Sequence, residues 1–324
     1  MPTNPDIFKA YDIRGIYGED LTEETAYRLG RVFAQFLGER KTDDRPLTLV
    51  IARDMRESGD PLQQHMERGF QEEGVKIIDI GVSSTPMLYY AVLEYQADGG
   101  VVITASHNPA EYNGFKLVRE KGIPISGDNG MYEIRDRVME ADLSEGDVGD
   151  APAREHKEDT RKHYIQQIVA RQNPQRPVES LKIVVDTANG MAAPDIQEFF
   201  AHFENIEYIH LYPELDGSFP NHEANPLKEE TLTDLKAKVQ EEQADFGIAT
   251  DGDFDRIAFV DNEGNTVRPD ITAALLLPIL LLHQPLAEGA LPHDERAVVV
   301  LQGARDDLRG GWRTGHDACG PFLH

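Results

Sequence analysis

Three aspartates at alternate positions, Asp251, Asp253 and Asp255, stand directly before Arg256. The apolar residues 246–249 precede them and predict a strand, whose end can bring the three carboxylates to one point. Carboxylates held that close repel each other unless a cation lies between them, and oxygen-only ligands favour Mg²⁺, Mn²⁺ or Ca²⁺ over zinc. The spacing therefore predicts a divalent metal site, with coordination positions left for water or a phosphate oxygen.

Of two other interpretations of this acidic segment, one stays open and the other is excluded. An acidic turn without a metal stays open, because the whole chain is very acidic. A calcium-binding EF-hand loop is excluded, since such a loop needs Gly at its sixth position and a bidentate Glu at its twelfth. This sequence has Arg256 and Asn262 there.

A second segment that could do chemistry is Ala-Ser-His-Asn-Pro at 105–109, followed by Asn-Gly-Phe-Lys at 113–116. The apolar run 100–104 predicts a strand, and ligands of parallel sheets bind at the carboxyl ends of strands, so Ser106 can project its hydroxyl into a crevice. Alternatively, these polar side chains only satisfy backbone groups before a proline turn. A Ser-His-Asp hydrolase is discounted, because the G-x-S-x-G elbow is missing and because Ser106 and His107 point to opposite sides of an extended chain.

A third segment, Phe-Lys-Ala-Tyr-Asp-Ile-Arg-Gly at 8–15, predicts a first strand that leads into a glycine turn. Taken alone, its Arg14 is expected to pair with a nearby aspartate.

Short β-branched runs alternate with amphipathic segments of helical length along most of the chain. Strands are predicted at 48–52, 75–80, 100–104, 181–186 and 206–211, and helices at 22–37, 61–73, 157–170, 194–203 and 228–241. Strands separated by such helices form βαβ units with right-handed crossovers. We therefore expect an α/β fold of consecutive three-layer α/β/α domains with mixed, largely parallel sheets.

A small, acidic, proline-containing stretch at 145–152 and the end of the acidic loop indicate two domain boundaries. They predict an N-terminal domain at 1–153, a second α/β domain at 154–256 that ends in the metal loop, and a partial third domain at 257–324. We expect the third domain to be incomplete, with an uncovered apolar sheet edge that favours self-association.

The composition excludes some classes of function. The chain of 324 residues has 58 acidic and 32 basic residues and a net charge of −26, which disfavours binding to nucleic acid and to anionic membranes. Such acidity also fits a protein that works in high salt, which we state as a hypothesis. The longest apolar run, 271–282, is shorter than the roughly 20 residues of a membrane span and predicts a buried helix. With one cysteine, Cys319, and no export signal, we expect a cytoplasmic protein.

Together, the three segments resemble an α-D-phosphohexomutase, within that superfamily most closely the phosphomannomutase/phosphoglucomutase branch. Residues 8–15, 104–116 and 251–256 carry the resemblance, in the family's order and roughly with its spacing. The resemblance implies reversible movement of phosphate between the 1- and 6-positions of a hexose, mannose and/or glucose. It also implies Mg²⁺ as the cofactor, hexose 1,6-bisphosphate as the activator and a phosphosugar as the binding partner.

The resemblance implies roles for particular residues. Ser106 is expected to be phosphorylated and to act as phosphoryl donor and acceptor, and Lys116 to act as general acid/base if burial and cationic neighbours lower its pKa. The implied catalytic residues are Ser106, Lys116, His107, Arg256, Arg14 and Tyr11. The implied Mg²⁺ ligands are Ser106, through a phosphoserine oxygen, with Asp251, Asp253 and Asp255. The implied substrate-binding residues, in a third-domain loop, are Thr314, Gly315 and His316.

The resemblance stops within the third domain. The family's sugar-gripping loop and its fourth domain, which holds the phosphate that is not transferred, have no counterpart in the sequence. Binding energy from that distant phosphate orients the reacting end of the substrate. An impaired remnant that binds Mg²⁺ and phosphate without turnover is therefore the alternative to an active mutase.

Overall fold

The computed structural model of the protein describes residues 3–140, 154–171 and 180–283. These residues form two compact units, which divide between Gly264 and Asn265. The first unit contains two sheets with their helices. The described part of the second unit consists of a short strand, β12, at Thr266–Val267 and a helix, α8, at Pro269–His283.

The first sheet has seven strands, which run β1-β5-β4-β2-β3-β7, with β6 beside β5. These are β1 (Ile13–Ile16), β2 (Thr48–Arg53), β3 (Lys76–Val82), β4 (Gly99–Ile103), β5 (Tyr112–Arg119), β6 (Ile123–Pro124) and β7 (Arg154–His156). Strands β4, β2, β3 and β7 are parallel, whereas β1, β5 and β6 are antiparallel to their neighbours. Its helices are α1 (Glu23–Gly38), α2 (Gly59–Glu72), α3 (Thr85–Glu94) and α4 (Met131–Glu140).

The strands of this sheet are buried on both faces. Leu49 and Ile51 belong to a core that includes side chains of α1, α2 and α4, whereas Val50 and Ala52 belong to a core that includes side chains of α3. Alternate residues of a strand point to opposite faces, so helices cover both sides of the sheet. The predicted three-layer α/β/α arrangement is confirmed for this part of the chain.

The second sheet repeats this plan. Within the first unit its strands run β11-β10-β8-β9, with β8 at Leu181–Asp186, β9 at Ile206–Leu211, β10 at Phe246–Thr250 and β11 at Ile257–Asp261. Strand β8 is parallel to β9 and β10, and β11 is antiparallel to β10. Its helices are α5 (Thr160–Val169), α6 (Ala192–Phe200) and α7 (Thr233–Glu242). Side chains of α6 pack on one face of β8 and those of α7 on the other, which again gives three layers.

Two predicted elements differ from the structure. The helix predicted at 228–241 begins as a 3₁₀ turn at Glu229–Leu232 and becomes α-helical from Thr233. The apolar run 271–282 forms a helix, as predicted, but the prediction that it is buried is wrong for Leu275 and Leu276, which are 68% and 44% exposed. Among the described residues, no helix is both long and apolar enough to span a membrane.

Helices α1 and α2 pack at short range through glycine. Thr22 caps the N-terminus of α1, because its hydroxyl accepts a hydrogen bond from the Thr25 amide at 3.3 Å. A methyl group on Gly30 would lie 2.5 Å from the carbonyl oxygen of Met66 in α2, which is closer than a carbon atom can approach. The contact between these helices therefore requires glycine at position 30.

We predict that Gly30→Ala lowers the free energy of unfolding by about 1–3 kcal/mol, because the added methyl forces the two helices apart. Urea unfolding followed by circular dichroism measures this change. The matched control is Gly38→Ala at the end of the same helix, where a methyl would meet no atom within 4 Å. This control should be neutral or stabilise the protein by up to about 1 kcal/mol through helix propensity. Equal urea midpoints for the two variants would contradict the prediction.

Candidate active site

The three predicted aspartates converge directly after β10. One carboxylate oxygen from each of Asp251, Asp253 and Asp255 lies within 4.8 Å of the others. Asp251 and Asp253 are fully buried, whereas Asp255 is partly exposed. The predicted convergence is confirmed, and the cluster opens to solvent on the side of Asp255.

Asp251 is held by donors from two directions. Its Oδ1 accepts hydrogen bonds from the backbone amides of Asp255 and Arg256, both at 3.0 Å, and its Oδ2 accepts one from the Ser106 hydroxyl at 2.7 Å. Burial, together with the negative charges of Asp253 and Asp255, raises the pKa of Asp251 to about 8. Without a bound cation, this carboxyl therefore keeps its proton to a higher pH than an ordinary aspartate does.

The hydrogen-bond partners of Asp253 indicate whether a metal ion fits this cluster. Burial alone would raise the pKa of this carboxyl, but Lys116 and hydrogen bonds, including one from Thr85, lower it to about 2. Its Oδ2 accepts from Lys116 and Thr85, whereas its Oδ1 is buried without a hydrogen-bond partner among the described residues. A buried carboxylate oxygen with no donor is costly unless a cation binds it. The donor set is all oxygen and fits Mg²⁺.

Ser106 meets the acidic cluster although 145 residues separate it from Asp251. The serine is fully buried and lies directly beyond the carboxyl end of β4, in a left-handed conformation with φ of 53°. Its backbone also lies against Gly252, where a methyl group would be 2.4 Å from the Ser106 carbonyl oxygen. The two loops therefore touch through backbone and side chain, and the hydroxyl lies among the carboxylates.

His107 lies beside the serine, which corrects one expectation. Its Nδ1 is 3.4 Å from Ser106 Oγ, so the two side chains do not point to opposite sides. The positive φ of Ser106 turns the chain where an extended chain was expected. Burial, and then the charges of Arg256 and Arg14, lower the pKa of His107 to about 4. The neutral ring accepts a hydrogen bond at Nδ1 from Arg256 Nη1 at 3.0 Å, because a guanidinium can only donate.

Lys116 lies beside two carboxylates, whereas the sequence analysis expected cationic neighbours. Its Nζ donates to Asp253 Oδ2 and Asp255 Oδ2, each at 2.5 Å. Burial alone would lower the pKa of Lys116, but the two carboxylates outweigh it and raise the pKa above the ordinary value. The expectation that cationic neighbours lower this pKa is therefore wrong for the protein without a bound cation. The ammonium of Lys116 supplies the positive charge that the cluster needs.

The first-segment residues are divided between the site and the surface. Arg14 donates to Asp12 Oδ2 at 2.5 Å, as expected for a local pair, and also to Asn108 Oδ1 in the serine loop at 2.7 Å. Tyr11 is 72% exposed, and its role stays a prediction. Thr314, Gly315 and His316 lie outside the described residues.

The structure adds residues that the sequence analysis passed over. Thr85, at the first turn of α3, donates its hydroxyl to Asp253 Oδ2 at 2.6 Å and its amide to the Asp253 carbonyl at 3.0 Å. Arg56, together with Asp54, lies beneath the serine loop. Both polar groups follow the carboxyl ends of parallel strands, β3 and β2. Their position at the carboxyl ends of strands is the signal by which they could be predicted, as it is for Ser106.

Comparison with known proteins agrees with this geometry. Family models for the first and second alpha/beta/alpha domains of phosphoglucomutase/phosphomannomutase match residues 5–145 and 162–264. The phosphomannomutase of Salmonella montevideo is 37% identical to this chain, over an alignment that covers 97% of this chain and 68% of that protein. The chain belongs to the phosphoglucomutase/phosphomannomutase family. The predicted resemblance is thereby confirmed.

Two further relatives are similar to this chain. The phosphomannomutase of Vibrio cholerae serotype O1 is 37% identical over 95% of this chain and 63% of its own length. The crystal structure of a phosphoglucomutase/phosphomannomutase family protein from Burkholderia thailandensis matches with a TM-score of 0.77 and 34% identity, over 87% of this chain and 60% of that one. The chain thus spans between 60% and 68% of the lengths of these relatives.

We predict that Mg²⁺ binds more tightly as the pH rises towards 8. A carboxyl with a raised pKa keeps its proton below that pH, and the ion must displace this proton in order to bind Asp251. The dissociation constant should fall by about tenfold per pH unit between pH 6 and 7.5 and level off above pH 8. Calorimetry at pH 7 in buffers of different ionisation enthalpy should detect about one proton released per ion. Binding without proton release would contradict the assignment, and Asp251→Asn should weaken binding and flatten its pH dependence.

We predict that Arg256→Gln raises the pKa of His107 without restoring the ordinary value of 6.5, since burial is the larger cause of the shift. Titration of the imidazole resonances by NMR measures this change, with His107→Gln used for assignment. Arg45→Gln, which removes an exposed guanidinium far along the chain, is the control and should leave the titration unchanged. An unchanged His107 titration in Arg256→Gln would show that the contact between the two side chains does not form.

Proposed function

We propose that the protein interconverts hexose 1-phosphate and hexose 6-phosphate through a phosphorylated Ser106. The observation that carries the proposal is the hydrogen bond of 2.7 Å from the Ser106 hydroxyl to Asp251, inside a cluster of three carboxylates. A hydroxyl buried at a divalent metal site is suited to carry a phosphoryl group whose charge the metal neutralises. Membership of the phosphoglucomutase/phosphomannomutase family supports the same reaction.

The aspartates are the proposed Mg²⁺ ligands. Asp251, Asp253 and Asp255 would hold the ion, and the unpartnered Oδ1 of Asp253 supports this assignment. When bound, Mg²⁺ would neutralise negative charge that spreads over the transferring phosphoryl group. A cation at these carboxylates also competes with the Lys116 ammonium, which would lose its two acceptors. The pKa of Lys116 would then fall, because burial is the cause that remains.

The other residues have roles that follow from their positions. In the first half-reaction, the bond between phosphorus and the Ser106 oxygen breaks while a sugar hydroxyl forms the new bond to phosphorus. We assign Lys116 as the group that takes the proton of this hydroxyl and passes it to the Ser106 oxygen as that oxygen leaves phosphorus. In the second half-reaction, Lys116 moves a proton from the Ser106 hydroxyl to the sugar oxygen. Arg256, oriented by the neutral ring of His107, provides positive charge beside Ser106 Oγ. The hexose 1,6-bisphosphate formed in this way then returns its other phosphate to Ser106.

The preferred sugar is proposed from the relatives alone. Those of Salmonella montevideo and Vibrio cholerae are named phosphomannomutases, which makes mannose phosphate the first substrate to test and glucose phosphate the second. The residues proposed for sugar binding, Thr314, Gly315 and His316, lie outside the described part of the chain. Binding of Mg²⁺ and phosphate without turnover is the alternative outcome.

We predict that the protein converts mannose 1-phosphate to mannose 6-phosphate in the presence of Mg²⁺ and a hexose 1,6-bisphosphate, as measured by ³¹P NMR. Ser106→Ala should abolish turnover, because it removes the phosphoryl carrier, and should also prevent the mass increase of one phosphoryl group after incubation with the bisphosphate. The matched control is Ser83→Ala, which removes an equally buried hydroxyl that donates to the Ile80 carbonyl. The control should lose about 1 kcal/mol of stability and keep its activity. Turnover by Ser106→Ala, or no turnover by the folded wild-type chain, would refute the proposal.

A further inference from the structure

Arg56 is a buried cation that no step above uses. It lies just beyond the carboxyl end of β2 and is 1% exposed. Its Nε is 3.1 Å from Asp54 Oδ2, and this carboxylate is fully buried as well. A buried ion pair adds little net stability compared with apolar side chains of similar size, so its presence at this point calls for a specific reason.

The guanidinium of Arg56 binds the backbone of the serine loop. Four carbonyl oxygens accept hydrogen bonds from its two terminal nitrogens: those of Ser106 (3.1 Å), Asn108 (2.7 Å), Pro109 (2.6 Å) and Tyr112 (2.9 Å). An arginine side chain has five donors in a rigid planar fork, and here all of its nitrogens have acceptors. The side chain thus gathers the loop around one fixed point.

The bond to Ser106 matters most, because it fixes a residue with unfavourable backbone geometry. Ser106 has φ of 53°, a backbone conformation that is unfavourable for residues other than glycine and that the surrounding structure must enforce. This turn directs Oγ to Asp251, and the carbonyl of the same residue points back to Arg56. Holding that carbonyl therefore holds the hydroxyl among the carboxylates.

The second α/β part of the chain closes over the same arginine. The ring of Phe219 lies 5.1 Å from Arg56 Cζ in a cation–π contact. A methyl group on Gly217 would be 2.7 Å from Arg56 Cα, so residues 217–219 pack directly against it. The segment after β9 is thus linked to the serine loop through its contacts with Arg56.

We propose that Arg56 is a positioning residue for phosphoryl transfer, which holds the Ser106 loop in its left-handed turn and links that turn to the seating of residues 217–219. The inference rests on the proposed function for its kinetic part only. A residue that acts through another should change how fast the phosphoryl group moves, with little effect on the apparent affinity for the sugar phosphate.

The experiment compares Arg56→Lys with the wild-type chain. Lysine keeps the charge but has three donors on a flexible stem, so it cannot bind Asp54 and four carbonyls together. We expect kcat to fall by about 10- to 100-fold with KM changed by less than about threefold. In protein labelled with ¹³C-serine and kept free of substrate, the Ser106 Cα and Cβ resonances, assigned by their loss in Ser106→Ala, should shift, because they report the local backbone angles.

Arg161→Lys is the matched control. Arg161 donates to buried Asp195 at 2.8 Å and to the Val82 carbonyl at 3.0 Å, so it also pairs with a buried carboxylate and joins the same two parts of the chain. It does not bind the Ser106 loop, and its variant should keep both kcat and the Ser106 resonances. An equal loss in Arg161→Lys would assign the effect to general stability and overturn the proposal. Wild-type values in Arg56→Lys would overturn it as well.

Phe219→Leu covers the case in which Arg56→Lys does not fold. It removes the cation–π contact and keeps an apolar side chain, and we expect a shift of the Ser106 resonances and a fall in kcat of a few-fold. Unchanged resonances and kcat in this variant would overturn the proposal. If the wild-type chain shows no turnover, the proposed function fails, and the Ser106 resonances of the substrate-free variants still decide whether Arg56 positions the loop.

Discussion

The repulsion among three carboxylates crowded at the end of β10 is the constraint around which the described part of the protein is organised. The groups that offset it come from separate places in the sequence. Lys116 extends from β5 and donates to two of the aspartates, whereas Thr85 from the start of α3 and Ser106 from the loop after β4 donate to one each. The cluster is stable only where these donors meet, because two of its carboxylates are fully buried.

This constraint explains why the two sheets are joined so closely at this point. The loop that carries the aspartates belongs to the second sheet, whereas the three donors belong to the first. Contacts outside the cluster reinforce the junction: Ser84 donates to Asp195 Oδ2 at 2.6 Å, and the ring of Phe219 lies 5.1 Å from Arg56 Cζ. A site assembled from two sheets keeps its geometry only if they are fixed together, and the proposed phosphoryl transfer depends on that geometry.

Much of this architecture could be predicted because its strands and helices follow from local sequence periodicity. The β-branched runs that became β2, β3, β4, β8 and β9 alternate with amphipathic helices, and this periodicity identifies strands independently of their partners. The partners of individual side chains could not be read in the same way. Lys116 binds carboxylates 137 and 139 residues away, and Ser106 takes a backbone conformation that its own type disfavours. Both depend on how the loops meet, which local sequence does not encode.

Charge balance relates the metal to the phosphoryl group. In the cluster without an ion, three carboxylates face Lys116 and Arg256, and the raised pKa of Asp251 favours a proton there, which brings positive and negative charges close to balance. A phosphorylated serine would add about two negative charges at the same place. A buried site cannot hold that excess unless further positive charge enters, and a divalent cation offsets most of it. Mg²⁺ binding and the proposed phosphorylation of Ser106 should therefore strengthen each other.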